Sequence, residues 1–123
     1  MGQVHEEFRA GSLIESGGLG KLSTTPRRLY VLCDYKLDPV YSCVQGAHAV
    51  AQYLLNRKGD ENPYWQNEYL IFLRANVGYW RKKLRKLNRD FTPFFEPDLN
   101  MRMTAIALED SGNLFKNLKT VKL

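Results

Sequence analysis

Two short runs of strand-forming apolar residues, Leu29-Tyr30-Val31-Leu32-Cys33 and Tyr69-Leu70-Ile71-Phe72-Leu73, are each followed closely by a helix start signal. After the first, Asp38-Pro39 supplies a capping carboxylate and a proline suited to the first helical position, where its missing N–H costs nothing. The predicted helix runs through VYSCVQGAHAVAQYLLN, with Val40, Val44, Ala47, Ala51, Leu54 and Leu55 as its apolar stripe. After the second run, Asn76 can cap a helix whose Val77, Trp80, Leu84 and Leu87 recur on one face. A third strand is expected from Phe91 to Phe95, with Pro93 confining it to an edge or a strand end. A fourth covers Arg102 to Leu108, where both alternating sets are mostly apolar and predict burial on both faces. A short helix is expected within Ser111 to Leu118. The order β-α-β-α-β-β predicts an α/β fold: one domain with a mixed four-stranded β-sheet flanked by helices.

A length of 123 residues suits a single domain. Residues 1–28 hold five of the nine glycines, among serines, threonines and Pro26, and show no sustained period. Such a stretch buries too little apolar surface to offset its chain entropy, so 1–28 reads as a flexible tail and 29–123 as the folded domain. The other reading of the tail is an arm that orders Phe8, Leu13 and Ile14 against a partner.

Several function classes drop out. No apolar run approaches the ~18 residues of a membrane span, and the N-terminus has early glutamates and no apolar stretch, so neither a membrane protein nor a secretory signal is expected. Cys33 and Cys43 are too few for a disulfide scaffold or a thiolate zinc site, and read as small apolar residues in a reducing cytoplasm. There is no GxxxxGK[ST], no GxGxxG after a strand, no HExxH and no GxSxG. With only two histidines, His5 and His48, neither a metal nor a cofactor is expected.

The formal net charge of +5 is concentrated between Arg74 and Asp90, where seven basic residues face one acid. Arg81, Lys82, Lys83, Arg85, Lys86 and Arg89 therefore form a candidate nucleic-acid-binding surface, with Tyr79 and Trp65 as stacking groups near by in sequence and Trp80 assigned to the core. The same charges equally suit a solvated outer face.

Two further features could carry chemistry. Tyr41, Gln45, His48 and Gln52 fall on one helical stripe beside the apolar face, and could point into a cleft or simply hydrogen-bond at the edge of the core. Gly46 and Ala47 leave room there for a close approach, by a ligand or by the sheet. Phe94-Phe95-Glu96-Pro97-Asp98-Leu99 puts two carboxylates around a proline just after a strand, as a ligand loop or an ordinary turn would.

These residues carry a resemblance. Val44-Gln45-Gly46-Ala47-His48-Ala49, behind a strand ending in Asp34, resembles the "AAQxxHA" helix of the archaeal and eukaryotic type of peptidyl-tRNA hydrolase. The chain is still more similar to a small bacterial and phage branch of that fold, which reads "LxPxYxxVQxxHA", then a Trp, then "FxEPDLxxxxTAxA". Here these are Leu37, Pro39, Tyr41, Val44, Gln45, His48 and Ala49; Trp65; and Phe94, Glu96, Pro97, Asp98, Leu99, Thr104, Ala105 and Ala107. The resemblance spans about residues 29–110. It implies metal-free hydrolysis of the ester joining a peptide to the 3′ end of tRNA, a mixed four-stranded sheet flanked by helices, tRNA as partner and often a homodimer.

The chain departs from the enzymes at two points. Their Gly-Lys pair, seven to eight residues before the His and including the catalytic Lys, is Val40-Tyr41 here, and their Asp-Ala-Gly-Arg-Thr segment is absent. Ester hydrolysis needs a positioned base or water and a donor to the developing oxyanion. The candidate catalytic set is His48 as base, Glu96 or Asp98 to orient it or the water, and Tyr41 or Gln45 as donor, with Thr104 standing near a later Thr of the family. The alternatives are a catalytically inactive tRNA- or RNA-binding relative and an interaction protein that uses only the scaffold.

Overall fold

The computed structural model describes residues 3–9, 26–116, 118 and 120–121. Along the chain lie strands β1 (Gln3–Arg9) and β2 (Arg28–Asp34), helix α1 (Pro39–Arg57), β3 (Tyr69–Ala75), α2 (Val77–Lys86), β4 (Thr92–Glu96), β5 (Arg102–Glu109) and β6 (Thr120–Val121). The expected mixed sheet is present as β4-β5-β2-β3: β2 and β3 are parallel, and β5 and β4 add in antiparallel fashion on the other side of β2. Helix α1 is the crossover that parallel neighbours require.

The sheet does not end there. β1 pairs antiparallel with the outer side of β3, from His5↔Leu73 to Arg9↔Tyr69, and β6 pairs with β1 in parallel. Residues 3–9 of the segment expected as a flexible tail thus form β1, and residues 10–25 of it lie outside the described residues. An open strand edge offers a row of backbone donors and acceptors to any extended segment, so edge pairing needs no apolar pattern in the incoming chain. The helix expected over Ser111 to Leu118 shortens to one 3-10 turn, Asn113–Phe115, entered through Gly112 at φ 107°, a left-handed conformation that glycine adopts readily.

The two helices cover opposite faces of the sheet. On one face, Val77, Trp80 and Leu84 of α2 pack with Leu32, Ile71, Leu73, Ile106, Leu108 and Phe115. Leu87, expected on the same stripe, is half exposed because α2 ends at Lys86. On the other face, Ala49 and Tyr53 of α1 pack with Leu29, Val31, Cys33, Trp65, Ala105 and Ala107. β5 is buried on both faces from Thr104 to Leu108, as its double apolar pattern predicts.

Helix α1 starts as its cap residues dictate, with the Asp38 carboxylate accepting from the N–H of Val40 (3.1 Å) and Tyr41 (3.4 Å). Its orientation is the reverse of the expected one. Val40 is 73% exposed and Leu55 66%, and Val44, Ala47, Ala51 and Leu54 are exposed as well, while the buried residues are Ser42, Gln45, Gly46, Ala49 and Tyr53. The cause is steric and polar together. A Cβ on Gly46 would lie 2.6 Å from Cys33 Sγ, 3.0 Å from Phe72 Cε2 and 3.1 Å from Val31 Cγ1, so only the small-residue face can come this close to the sheet. The buried polar groups all find partners there: Ser42 Oγ donates to the Asp34 carbonyl (2.8 Å), and the Tyr53 hydroxyl donates to Glu109.

Gly46→Ala should therefore destabilise the fold although alanine is the better helix former. Propensity gains up to about 1 kcal/mol, against about 1–3 kcal/mol for overpacking. A lower urea midpoint with unchanged slope, partly restored by Cys33→Ala in the same chain, is the expected result. An unchanged or raised midpoint would mean that the helix and sheet can part at no cost.

Candidate active site and basic cleft

Four elements bring the motif residues to one end of the sheet. The β4–β5 register shifts between Phe94 and Phe95, where β5 carries the extra residue Thr104, and β4 then leads into a single 3-10 turn at Pro97–Leu99. Glu96 caps that turn, its Oε2 accepting from the Asp98 N–H at 3.0 Å. Its other oxygen, Oε1, accepts from the Nε2 of Gln45 at 2.8 Å, which is buried on α1. The amide oxygen of Gln45 accepts in turn from the Thr104 hydroxyl on β5. Both ends of the Gln45 amide are thus hydrogen-bonded, and Glu96 is held in one place.

His48 follows Gln45 by almost one helical turn and stands exposed beside this network. Its imidazole lies flat on the Phe94 ring, with centroids 4.7 Å apart and planes 8° apart. The Glu96 carboxyl is held below the usual carboxylate range, chiefly by the Asp98 N–H and next by the Gln45 amide, with nearby His48 acting in the same direction against desolvation. The Tyr41 phenol is pushed upward, first by desolvation and then by the charges of Glu96 and Asp98. It faces the same carboxylates and stays a proton donor.

Tyr41, His48, Glu96 and Asp98 therefore border one surface, with fully buried Gln45 and Thr104 behind it as supports rather than contacts. What this arrangement can do is hold a water between an imidazole and a fixed carboxylate, with a phenol beside it. Asp34, which closes the motif strand, is not part of it. Asp34 is buried and ion-paired with Arg102, and it accepts from the Lys36 N–H at 2.9 Å.

The basic residues divide. Arg81, Lys82 and Arg85 line a cleft of about 400 Å³ on the α2 side. Lys83 lies over the rings of Trp80 (5.1 Å) and Tyr79 (5.9 Å), and Lys86 is exposed. Arg89 is drawn away: Nη2 donates to the Glu109 carbonyl and Nη1 pairs with Asp110, both at 2.9 Å. Trp65 is corrected as a stacking group. It is 2% exposed in the α1-side core, its Nε1 donating to the Tyr69 carbonyl at 2.8 Å, whereas Tyr79 remains exposed. Sequence reasoning missed Lys36 and Arg102, which line the same cleft from β2's end and β5's start. Nothing in their local sequence marks them, since only the sheet order brings them to α2.

Among the described residues no group of three or more His, Cys, Asp or Glu side chains is placed to hold a metal ion, and no helix is long and apolar enough to cross a membrane. Neither Cys33 nor Cys43 is joined in a disulfide among the described residues, and burial pushes the Cys33 thiol far up.

No protein-family model, no curated protein and no solved structure matches the chain. The likeness to the peptidyl-tRNA hydrolases thus rests on the motif residues themselves.

Proposed function

We propose that this protein is a peptidyl-tRNA hydrolase-like enzyme of the cytoplasm, cleaving the ester between a peptide and the 3′ end of tRNA by attack of water without a metal. The supporting observation is the bonded chain Thr104–Gln45–Glu96 beside the exposed imidazole of His48. His48 takes the proton of the attacking water. Glu96 stays ionised and orients the water or the imidazole, while Gln45 and Thr104 act as positioning residues behind it. Tyr41 stands where the family has its Lys and supplies a neutral donor to the oxyanion. Asp98, exposed on the turn, is the second acceptor at the rim.

A second reading, an inactive tRNA- or RNA-binding relative, draws on the replaced Lys together with the basic cleft. Release of labelled peptide from peptidyl-tRNA by the purified protein separates the two. Release supports the enzyme, and tight tRNA binding without release at high protein concentration supports the binder.

A homodimer belongs to the same proposal. The outward stripe of α1 repeats at spacings of 4, 3, 4 and 3 through Val40, Val44, Ala47, Ala51 and Leu54, and no Asp, Glu, Lys or Arg lies between Pro39 and Asn56. An uncharged apolar seam lets two copies of a cationic protein meet without repulsion there. Light scattering should give a dimer mass for the wild type and a monomer mass for Val44→Glu with Leu54→Glu. A wild-type monomer at high concentration would remove the dimer.

A further inference from the structure

The cleft beside α2 is unbalanced in charge. Five of its lining side chains, Lys36, Arg81, Lys82, Arg85 and Arg102, are cationic, and the single carboxylate among them, Asp34, is already engaged by Arg102 and the Lys36 N–H. Gathering like charges from three separate elements around one cavity opposes folding unless an anion completes it. A second observation points the same way. The Nε of Arg81 is a buried donor with no hydrogen-bond partner, its guanidinium lying 5.7 Å over the Phe95 ring. A buried donor left unmade is costly, and a ligand oxygen is the natural acceptor.

The backbone adds to this. Asn76 Oδ1 accepts from the Tyr79 N–H and the Asn76 carbonyl from that of Trp80, while the N–H groups of Val77 and Gly78, which have no partner within the helix, belong to residues lining the cleft. A Cβ on Gly78 would meet nothing closer than Asn76 Oδ1 at 3.6 Å, so a ligand can approach the helix end.

We infer that this cleft is a phosphate-binding site that takes one phosphate group of a nucleotide strand. Arg81 and Arg85 grip its oxygens, Lys82 and Lys36 supply charge, and the α2 amides close the shell. The inference rests on the proposed function only for the identity of the strand. Arg102 is the cross-strand partner of Glu96, so the cleft and the His48–Glu96 site meet at one end of the sheet from its two faces. A strand crossing that end would place a phosphate in one and its esterified terminus at the other.

The test is a two-dimensional amide NMR titration of the full chain with inorganic phosphate, adenosine monophosphate, and short single-stranded RNA with and without a 5′-phosphate. The Val77 and Gly78 amide signals and the Arg81 Nε–H signal should shift saturably with phosphate-bearing probes. Arg81→Gln and the more exposed Arg85→Gln should each weaken binding about tenfold. The double variant should also flatten the salt dependence of RNA affinity by about 0.7, one single-strand phosphate contact. Tighter binding of the monophosphate and the 5′-phosphorylated RNA assigns a terminal phosphate, and equal RNA affinities assign a backbone diester. Unmoved Val77 and Gly78 signals with every probe, or undiminished affinity in both variants, would overturn the site. Peptide release with those signals unmoved overturns the cleft and leaves the enzyme; shifting signals without peptide release do the reverse.

Discussion

His48→Ala should slow peptide release from peptidyl-tRNA by on the order of 10²–10⁴-fold, the usual worth of a general base, while tRNA binding survives. The loss follows from the role proposed for His48, and the structure gives the reason for what is kept. His48 is exposed on α1, stacks on the face of Phe94 and is no partner in the hydrogen bonds of the Thr104–Gln45–Glu96 network, so its removal leaves those bonds in place. The basic cleft lies on the opposite face of the sheet. Glu96 is held below the usual carboxylate range by the Asp98 N–H and the Gln45 amide, so it stays ionised to lower pH than an ordinary carboxylate. If release persists in His48→Ala, the chemistry shifts to the carboxylates, and Glu96→Gln and Asp98→Asn become the decisive variants. If the wild type releases nothing yet binds tRNA, the inactive relative is the better account.

Trp65→Ala should cost about 3–5 kcal/mol, the range for truncating a buried aromatic. That is a large share of the ~5–15 kcal/mol that holds a domain of this size together. Trp65 touches Tyr53 edge to face, with ring centroids 6.5 Å apart, and fastens the loop before β3 through its indole N–H. Its own backbone N–H donates to Glu109 at 2.8 Å, the carboxylate that also receives Tyr53 and pairs with Arg27. Thermal or urea unfolding measures the loss, and Trp65→Phe should recover a good part of it. A Trp65→Ala protein of wild-type stability but weakened RNA binding would return Trp65 to the role of a stacking group.

Local signals in the chain were enough for most of the architecture. Asp38-Pro39 and Asn76 start both helices where their side chains and backbone allow, because capping is settled within a few residues. The apolar runs become β2, β3 and β5 because a buried strand needs only its own composition. The candidate residues Gln45, His48 and Glu96 were also legible, since each sits at a strand end or on a helix stripe that the pattern marks.

The tertiary structure alone decided which way α1 turns. By composition its apolar stripe belongs inside, yet the stripe faces out, because the sheet beneath presents Cys33, Phe72 and Val31 at a distance only Gly46 tolerates. It also decided that Trp65 serves the core, that Arg89 braces Asp110, and that Lys36 and Arg102 join α2 around one cleft. It placed Gln3–Arg9 on the edge of β3 as well, through backbone pairing that leaves no trace in side-chain pattern. Each of these depends on contacts between residues far apart in the chain. Periodicity reports what a segment prefers to bury, whereas packing distance, charge partners and open edges are fixed by what the other segments bring to it.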